Sequence, residues 1–393
     1  MVKLEDLYTV YYLARANKRR SEDAVIFEID YERRLARLLE AINERTYRAN
    51  ANYTFVSMRP KPREVFACEL EARLIQWYII WRILPILERV LTDRTFNNRK
   101  GMGTDAAIRR IYDDIIEVSD HYRRDAYVIQ WDLQGYFPNA RTELAAQQLQ
   151  RLVRNYYEGD DKEVLLWFIM ISCNALPQKH CYRKSPREMW ELIEPSKSLF
   201  NKPDGVGGAI GFLIWQVAMN LYLNDVDKWA IKEMGLHYVR FVDDTVMIVE
   251  NKEAALTLLP LFRQKYAEYG CVMHPRKFYC QHVSKGVKIL GSVIKGGRVY
   301  IQNRTIRNAA RRIYYLNRTP NKRSHLDNFI DTVNSYFGLL KNRYEFNAIQ
   351  RLYDMVAPAW WKYLEMNWDR CCVVARAGYE YKDRLKYKID RMK

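Results

Sequence analysis

The chain has 393 residues, of which 49% are hydrophobic and 28% are charged, which excludes a disordered or low-complexity protein. This length suits two or three lobes. Lys and Arg outnumber Asp and Glu by 64 to 47, and the resulting charge of +17 favours a polyanionic partner, nucleic acid before a membrane.

Two further features concern the cellular compartment. The N-terminus has charges inside its apolar stretch, and Arg82 interrupts the longest apolar run, so we expect neither a signal peptide nor a membrane span. The seven cysteines form no C-x-x-C pair, which predicts reduced thiols rather than a zinc site. We therefore expect a cytoplasmic protein with no membrane partner.

The first part of the chain predicts helices and then two strands. Apolar residues at three and four spacing indicate helices over residues 4–48. "YTFVSMRPKPREVFAC" predicts two strands around a Pro-rich turn, and a helix should begin near Leu70. "FNNRKGMGTDAAIRRIYDDI" is a basic, glycine-bearing loop with Thr104 as the N-cap of the next helix.

The middle of the chain predicts strands that carry acidic residues. "DAYVIQWDLQGYFPNA" indicates an apolar strand with Asp132 at its end. Two helices follow, then a connection over 182–208 rich in Pro, Ser and Gly, then one long helix over "AIGFLIWQVAMNLYLNDVDKWAIKE". "YVRFVDDTVMIV" predicts a β-hairpin that reverses at Asp243-Asp244.

The last part of the chain is basic. After a helix, a strand and a hairpin around Lys295-Gly296-Gly297, we expect only helices from Asn303 onward. Residues 301–393 contain 19 Lys and Arg against 9 Asp and Glu, and basic residues alternate with aromatic ones in "RNAARRIYYLNR" and "YEYKDRLKYKIDR". A solvated helix face is the commoner explanation of such runs. Concentrated in one lobe, they predict contact with a phosphate backbone.

The three aspartates raise the question of why like charges lie between apolar strands. If the strands share a sheet, Asp132 can meet Asp243 and Asp244 although about 110 residues separate them. Unpaired carboxylates in contact raise one another's pKa, and hard divalent cations such as Mg²⁺ relieve that conflict. A pair of such ions would make a two-metal site for phosphoryl chemistry. The alternative is an ordinary solvent-facing turn, which is the commoner explanation of an isolated Asp-Asp pair, so the choice depends on the neighbouring motifs.

Several stretches occur in an order that resembles the reverse transcriptases: "WDLQGYFPNA", "GGAIGFLIWQ", "YVRFVDDTVMIV", "MHPRKFY" and "KGVKILGSVI". The resemblance covers roughly residues 55–300. It implies an α+β right-hand polymerase fold with fingers, an antiparallel-sheet palm and a helical thumb. The implied domains are fingers over 1–125 with a helical N-terminal extension, a palm over 126–300 with a fingers-like helical insertion at about 140–205, and a basic helical thumb over 301–393.

The resemblance also implies RNA-directed DNA synthesis from deoxynucleoside triphosphates with two Mg²⁺ ions, for which Mn²⁺ can substitute. The implied catalytic residues are Asp132, Asp243, Asp244 and Lys277, the last as proton donor to pyrophosphate. The implied metal ligands are Asp132, Asp243, Asp244 and the backbone carbonyl of Leu133.

Residues around the nucleotide and the nucleic acid follow from the same resemblance. The implied nucleotide-binding residues are Arg63, Arg73, Phe137, Ile210, Gly211 and Gln216. Phe137 matches the gate that rejects a ribose 2′-hydroxyl, with a core position as its alternative and Tyr136 as its core neighbour. Arg63 and Arg73 can instead be surface ion-pair partners. Template and primer contacts fall on Arg99, Lys100, Leu290 and Gly291.

The stretch "GGAIGFLIWQVAMN" bears on the branch of the family. Ile210-Gly211 with Gln216 resembles the reverse transcriptases of diversity-generating retroelements, in which an aliphatic in place of Gln is linked to error-prone copying opposite adenine. Trp215 stands where that branch has Ser, which would place a bulky indole beside the nascent base pair, and Ala209 stands where it has Pro. The neighbouring branch is the bacterial defence-associated reverse transcriptases.

The implied partners are a template RNA, its cDNA product, deoxynucleoside triphosphates and possible protein subunits, among them a small basic accessory protein, in a bacterial or phage-encoded system. Two alternatives remain. A catalytically silent nucleic-acid-binding scaffold would not need three carboxylates facing a polyanion, and RNA-templated RNA synthesis is disfavoured by Phe137.

Overall fold

The structure, a computed structural model, describes residues 1–16, 22–49, 51–58, 61–320 and 322–379. The chain forms two compact units. The first comprises Met1–Asp114 and Ala126–Gln281, and the second comprises Ile115–Asp125 and the chain from His282 onward. The basic stretch beyond residue 379, part of the predicted thumb, lies outside the described residues.

Most helices lie in the first unit. They are α1 (Leu4–Arg15), α2 (Glu22–Glu28), α3 (Tyr31–Asn43), α4 (Leu70–Val90), α5 (Thr104–Val118, whose end belongs to the second unit), α6 (Thr142–Tyr156), α7 (Lys162–Cys173), α8 (Arg187–Trp190), α9 (Leu213–Tyr222), α10 (Asn224–Lys228) and α11 (Lys252–Glu268). Helix α4 is apolar on nearly all sides and packs against α1, α7 and α9, as expected of a fully buried helix.

Eight strands accompany these helices. They are β1 (Ala51–Ser57), β2 (Arg63–Cys68), β3 (Thr95–Phe96), β4 (Tyr127–Leu133), β5 (Tyr182–Arg183), β6 (His237–Phe241), β7 (Asp244–Val249) and β8 (Met273–His282). Five of them form one sheet in the order β3-β6-β7-β4-β8. Phe262 of α11 packs on this sheet, with ring centroids 4.9 Å from Trp131 and 5.6 Å from Tyr238.

A second sheet in the first unit has the order β2-β1-β5. Strands β1 and β2 are the predicted antiparallel pair. Strand β5 lies in the stretch predicted as mere connection, and it pairs in parallel with β1, with Tyr182 opposite Tyr53. Two residues of pairing 129 positions away leave no local pattern, which explains why the sequence did not indicate it.

The second unit contains helices and two small sheets. Its further elements are β9 (Val287–Ile289), β10 (Ser292–Lys295), β11 (Arg298–Ile301), α12 (Asn303–Asn317), α13 (Leu326–Lys341), α14 (Phe346–Asp354), β12 (Leu364–Asn367) and β13 (Cys372–Ala375). The predicted hairpin around Gly296-Gly297 is present, and both glycines have positive φ. The expectation of helices only after Asn303 is wrong, because β12 and β13 form a hairpin whose buried Val373 packs beside α13.

The predicted long helix over 209–233 is also interrupted. It divides into α9, α10 and a π-helical turn at Trp229–Glu233. The break lies where polar side chains turn inward: Asn224 donates to the Val90 carbonyl at 3.3 Å, and Asp227 is fully buried. Among the described helices, none combines the length and apolar character needed to cross a membrane.

Candidate active site

The three predicted aspartates meet at one end of the five-stranded sheet. Strands β4 and β7 are antiparallel, and their register places Asp132 directly opposite Asp244. Asp243 lies in the tight turn between β6 and β7, and its carbonyl accepts a hydrogen bond from the Leu133 N–H at 3.2 Å. The tertiary structure thus brings together carboxylates that are distant in sequence.

The turn itself differs from the prediction by one residue. Phe241 pairs with Asp244, so the two turn residues are Val242 and Asp243, and Asp244 is the first residue of β7. Val242 has φ +61°, a conformation that two-residue hairpin turns require and that glycine or asparagine usually provides. A β-branched residue there is strained, and such strain is concentrated at functional sites.

Burial and mutual repulsion raise the pKa values of two carboxyls. The pKa of Asp243 is raised mainly by burial and then by Asp132, and it is lowered again by Lys277 and Arg63. The pKa of Asp244 is raised to about 6, mainly by burial and then by Asp243 and Asp132. Because ionising these carboxyls in the folded protein is unfavourable, added positive charge beside them would be stabilising.

Lys277 already supplies one such charge. It lies on β8, the neighbour of β4, and its Nζ contacts the Asp132 carboxylate directly while the side chain stays 45% exposed. The three carboxylates are hard oxygen donors, of the kind that divalent metal ions such as Mg²⁺ take as ligands. Asp132, Asp243 and Asp244 would hold the ions, and the Leu133 carbonyl remains a predicted ligand.

The predicted nucleotide-binding segments are hydrogen-bonded to one another. The Gly208 N–H donates to the Phe137 carbonyl at 2.9 Å, and the Phe66 N–H of β2 donates to the Ile210 carbonyl at 2.8 Å. Gly211 has φ +111°, and a Cβ there would lie 2.2 Å from the Phe66 oxygen. Only glycine fits this close approach of two backbones.

These contacts join residues 134–141, the loop between β4 and α6 that carries Phe137 (the Phe137 loop), to strand β2. Strand β2 begins at the exposed Arg63. The positive charge of Arg63 contributes to lowering the pKa of Asp243, although less than that of Lys277. Arg73 is half-buried in the first turn of α4, and Gln216 is exposed on α9. Their roles remain predictions.

Of the two aromatic residues after β4, Tyr136 takes the core position that was predicted for it. Tyr136 is buried, and its hydroxyl donates to the Met219 carbonyl at 2.7 Å. Phe137 is half-buried and packs edge-on against Tyr136 at 6.0 Å between ring centroids. Its partial exposure leaves the ring accessible, and its role as gate remains a prediction.

Trp215 is a core residue. Its side chain is 2% exposed, and a Cβ on Gly208 would lie 2.6 Å from the indole. The sequence suggested that this bulky ring stands beside the nascent base pair. The structure instead places it behind the 207–211 segment, where it supports the backbone that contacts Phe137.

The prediction that Arg99 contacts the template needs correction. Its side chain is 6% exposed, pairs with Glu88 at 2.8 Å, and donates to the Thr92 and Thr95 carbonyls at 2.6 and 2.7 Å. These contacts use the guanidinium to shape the loop. Lys100 beside it is exposed and remains the candidate for a phosphate contact.

The predicted primer contact lies in the second unit. Leu290 and Gly291 form the two-residue turn between β9 and β10, with φ +45° and +79°. A turn of this kind projects its backbone from the hairpin tip. The contact with a primer remains a prediction.

Two residues around the site were not predicted from the sequence. Arg240 of β6 is fully buried and donates to the Val242 carbonyl in the turn at 3.1 Å. Lys202 donates to the side chain of Asn139 in the Phe137 loop at 2.6 Å. In the sequence, Arg240 could have been noticed as a charged residue inside an apolar strand pattern. Lys202 lies in a connecting segment, where no pattern marks it.

Comparisons with known proteins bear on the family. The family described as "Reverse transcriptase (RNA-dependent DNA polymerase)" matches residues 58–294, more than half of the chain. No curated protein matches the chain. The mixture of helices and largely antiparallel sheets, in which only the short pairs β3–β6 and β1–β5 are parallel among the described pairs, agrees with this match and confirms the predicted α+β right-hand polymerase fold class.

Solved telomerase structures are similar at low identity. Apo telomerase from Candida tropicalis, truncated from its C-terminal domain, is 11% identical, with 67% of this chain and 58% of that chain covered and a TM-score of 0.44. Telomerase from Candida albicans, in complex with a TWJ fragment of telomeric RNA, is 9% identical, with 84% and 60% covered and a TM-score of 0.43.

The chain thus spans about 60% of the length of these telomerase chains. Scores of this size carry no argument about function. The convergence of Asp132, Asp243 and Asp244 at one end of the sheet agrees with the family match. The chain belongs to the reverse transcriptase (RNA-dependent DNA polymerase) family.

Proposed function

We propose that the chain is an RNA-directed DNA polymerase that makes cDNA from a cognate RNA by nucleotidyl transfer. The observation that carries the proposal is the cross-strand pairing of Asp132 with Asp244, with Asp243 in the adjoining turn. Two Mg²⁺ ions, with Mn²⁺ as a substitute, would activate the primer hydroxyl and neutralise the leaving pyrophosphate. Lys277, whose Nζ contacts the Asp132 carboxylate, would deliver a proton to that leaving group.

The nucleotide would lie between β2 and the Phe137 loop. Arg63 offers a planar guanidinium for phosphate oxygens at the exposed start of β2. The backbone contacts of residues 207–211 hold the Phe137 loop against β2, so ring and guanidinium act on one substrate. Phe137 would exclude a ribose 2′-hydroxyl by its bulk, which favours deoxynucleotides.

The β2-β1-β5 sheet supports a nucleic-acid substrate. Tyr182 is 60% exposed, its ring lies 5.8 Å from that of Tyr53, and Tyr53 lies 6.2 Å from Phe55. The Lys184 ammonium lies 4.5 Å from the Tyr53 ring centroid. An exposed ring beside two half-buried rings and a cation suits unpaired bases and their phosphates, as does the net charge of +17.

A direct test measures primer extension on an RNA template with Mg²⁺ and the four deoxynucleotides. Asp243→Asn should abolish extension because it removes a metal ligand, while RNA binding by gel shift stays close to that of the unmodified protein. Glu253→Gln, at the exposed start of α11, is a matched control that should extend normally. Unchanged extension by Asp243→Asn would sink the assignment.

For the biological role, we propose error-prone copying in a diversity-generating retroelement, in a bacterial or phage-encoded cytoplasmic system with a small basic accessory protein. The support is Ile210 before Gly211, where most of the superfamily has Gln. The second candidate, antiphage defence with a dedicated non-coding RNA, is favoured by Trp215, which departs from the Ser of the first branch.

Sequencing the RNA that copurifies with the protein, and the cDNA made from it, separates the two roles. A repeat-like template copied with errors at adenines supports the retroelement role. Accurate or repetitive cDNA from a dedicated RNA supports defence. Comparing dGTP with GTP incorporation separates DNA synthesis from RNA synthesis on the same site.

A further inference from the structure

A fully buried ion pair lies behind the metal-binding turn. Arg240 of β6 and Asp227 of α10 have no exposed side-chain surface, and Nη2 lies 2.6 Å from the carboxylate. The Arg240 Nε donates to both Asp227 oxygens at 2.8 and 3.1 Å. Because a hydrophobic pair of similar volume is often as stable as a buried ion pair, stability alone does not explain these two charges.

The remaining donors of Arg240 reach two backbone carbonyls. Nη1 donates to Val242 at 3.1 Å and Nη2 to Asn220 at 2.8 Å. Val242 is the strained residue of the turn, with φ +61°. The next carbonyl, that of Asp243, is held by the Leu133 N–H. The turn that carries Asp243 is therefore fixed at two successive carbonyls.

The contact with Asn220 links this turn to the nucleotide side. Met219 and Asn220 are adjacent residues of α9, and their carbonyls accept from the Tyr136 hydroxyl at 2.7 Å and from Arg240 at 2.8 Å. One turn of helix thus anchors both the Phe137 loop and the Val242–Asp243 turn. Displacing Arg240 would loosen the second anchor without touching the first.

Asp227 is itself oriented. Its oxygens accept from the Thr95 hydroxyl at 2.7 Å and from the Tyr238 hydroxyl at 3.0 Å. These hydroxyls belong to residues of β3 and β6, so the sheet orients the Asp227 carboxylate independently of its ion pair with Arg240. A guanidinium spreads five N–H donors over a planar fork, so it can bind both oxygens of Asp227 and reach the Val242 and Asn220 carbonyls at the same time, whereas a lysine has three donors on one nitrogen.

We propose that Arg240, oriented by Asp227, is a positioning residue that holds the Val242–Asp243 turn in its strained form and so keeps the Asp243 carboxylate beside Asp132. The proposal rests on the proposed polymerase function. It assigns Arg240 no contact with substrate. Its effect reaches the reaction through the placement of one metal ligand relative to the other.

The test compares Arg240→Met with Arg94→Met. Arg94 forms another buried pair, with Asp114 at 2.6 Å, and its side chain makes no described contact with the turn. For Arg240→Met we expect kcat to fall by about 100-fold with little change in KM for the deoxynucleotide. Mn²⁺ affinity, measured by electron paramagnetic resonance, should fall about tenfold. Arg94→Met should change neither.

A second variant tests the strain directly. Glycine adopts positive φ without steric cost, so Arg240→Met/Val242→Gly should recover about tenfold in kcat and part of the Mn²⁺ affinity. A merely structural Arg240 predicts a recovery of kcat only in proportion to the folded fraction, with the Mn²⁺ affinity of the folded protein unchanged, because Val242→Gly then acts only by relieving strain in the fold. Failure of the rescue, or a loss of kcat that only follows the folded fraction with Mn²⁺ affinity unchanged, overturns the proposal.

Two provisions keep the outcome decisive. If Arg240→Met does not fold, the neutral pair Arg240→Gln/Asp227→Asn replaces it, and the same loss of Mn²⁺ affinity is expected in the folded protein. If the unmodified chain adds no nucleotide, the proposed function has failed. The Mn²⁺ affinities of the same variants then support or overturn the positioning role by themselves.

Discussion

Asp132 and Asp244 face each other directly across the antiparallel strands β4 and β7. Like charges in that relation destabilise a sheet, since opposed side chains are its nearest neighbours. Asp243 in the adjoining turn adds a third carboxylate, and Lys277 is the nearest described cation that contacts the group. The sheet therefore holds an arrangement that is unfavourable without added positive charge, as expected of a metal site.

The electrostatic cost predicts how stability depends on pH without metal. Asp244 has its folded pKa raised to about 6 from an ordinary value of 3.8. The folded state thus binds the proton more tightly, so the contribution of Asp244 is fully present below about pH 3.8 and is lost as the pH rises through 6.

Asp244→Asn should therefore be more stable than the unmodified protein at pH 7 without metal, by on the order of 2 kcal/mol, and the difference should shrink toward pH 4. Urea unfolding at several pH values measures it. Adding Mg²⁺ should stabilise the unmodified protein more than the variant. A difference in unfolding free energy that does not change with pH would contradict a raised pKa for Asp244.

Phe137→Ala should admit ribonucleotides. Removing the half-buried ring opens space beside the sugar, and the ratio of GTP to dGTP incorporation should rise by about 10²-fold. Phe137→Leu keeps most of the bulk and serves as the control. Steady-state incorporation of each nucleotide opposite cytosine gives the ratio, and a variant that discriminates like the unmodified protein shows that Phe137 is not the gate.

Ile210→Gln should raise copying fidelity. The fold uses the backbone carbonyl of Ile210, which accepts from Phe66, so the side chain can change without loss of that contact. Glutamine restores the polar group that most of the superfamily has here. Sequencing of cDNA should show several-fold fewer errors opposite adenine, on the order of 1 kcal/mol of discrimination. Ile210→Val is the control, and equal error spectra would remove the diversity-generating analogy.

Arg99 and Lys100 should separate into a structural and a binding role. Arg99→Ala removes the ion pair with Glu88 and two hydrogen bonds to backbone carbonyls, so the free energy of unfolding should fall by about 1–3 kcal/mol. Lys100→Ala should leave stability unchanged and weaken RNA binding, with the salt dependence of log K reduced by about 1. The reverse result would restore Arg99 as the template contact.

The sequence determined the local elements well. Period-two apolar residues identified β4 with Asp132 at its end and the β6–β7 hairpin, and Gly296-Gly297 marked a turn that needs positive φ. The order of the motifs along the chain also indicates the family. These features depend on neighbours within a few residues, so they can be read along the chain.

Tertiary structure alone decided which partner each polar side chain finds. The pairing of Asp132 with Asp244, the burial of Trp215 and the inward turn of Arg99 all depend on packing between distant segments. The sequence shows Arg240 only as a charged residue within an apolar strand pattern, and its partner Asp227, in a broken helix, is found only in the folded structure. Register and burial arise from contacts between segments far apart in sequence, and periodicity carries no record of them.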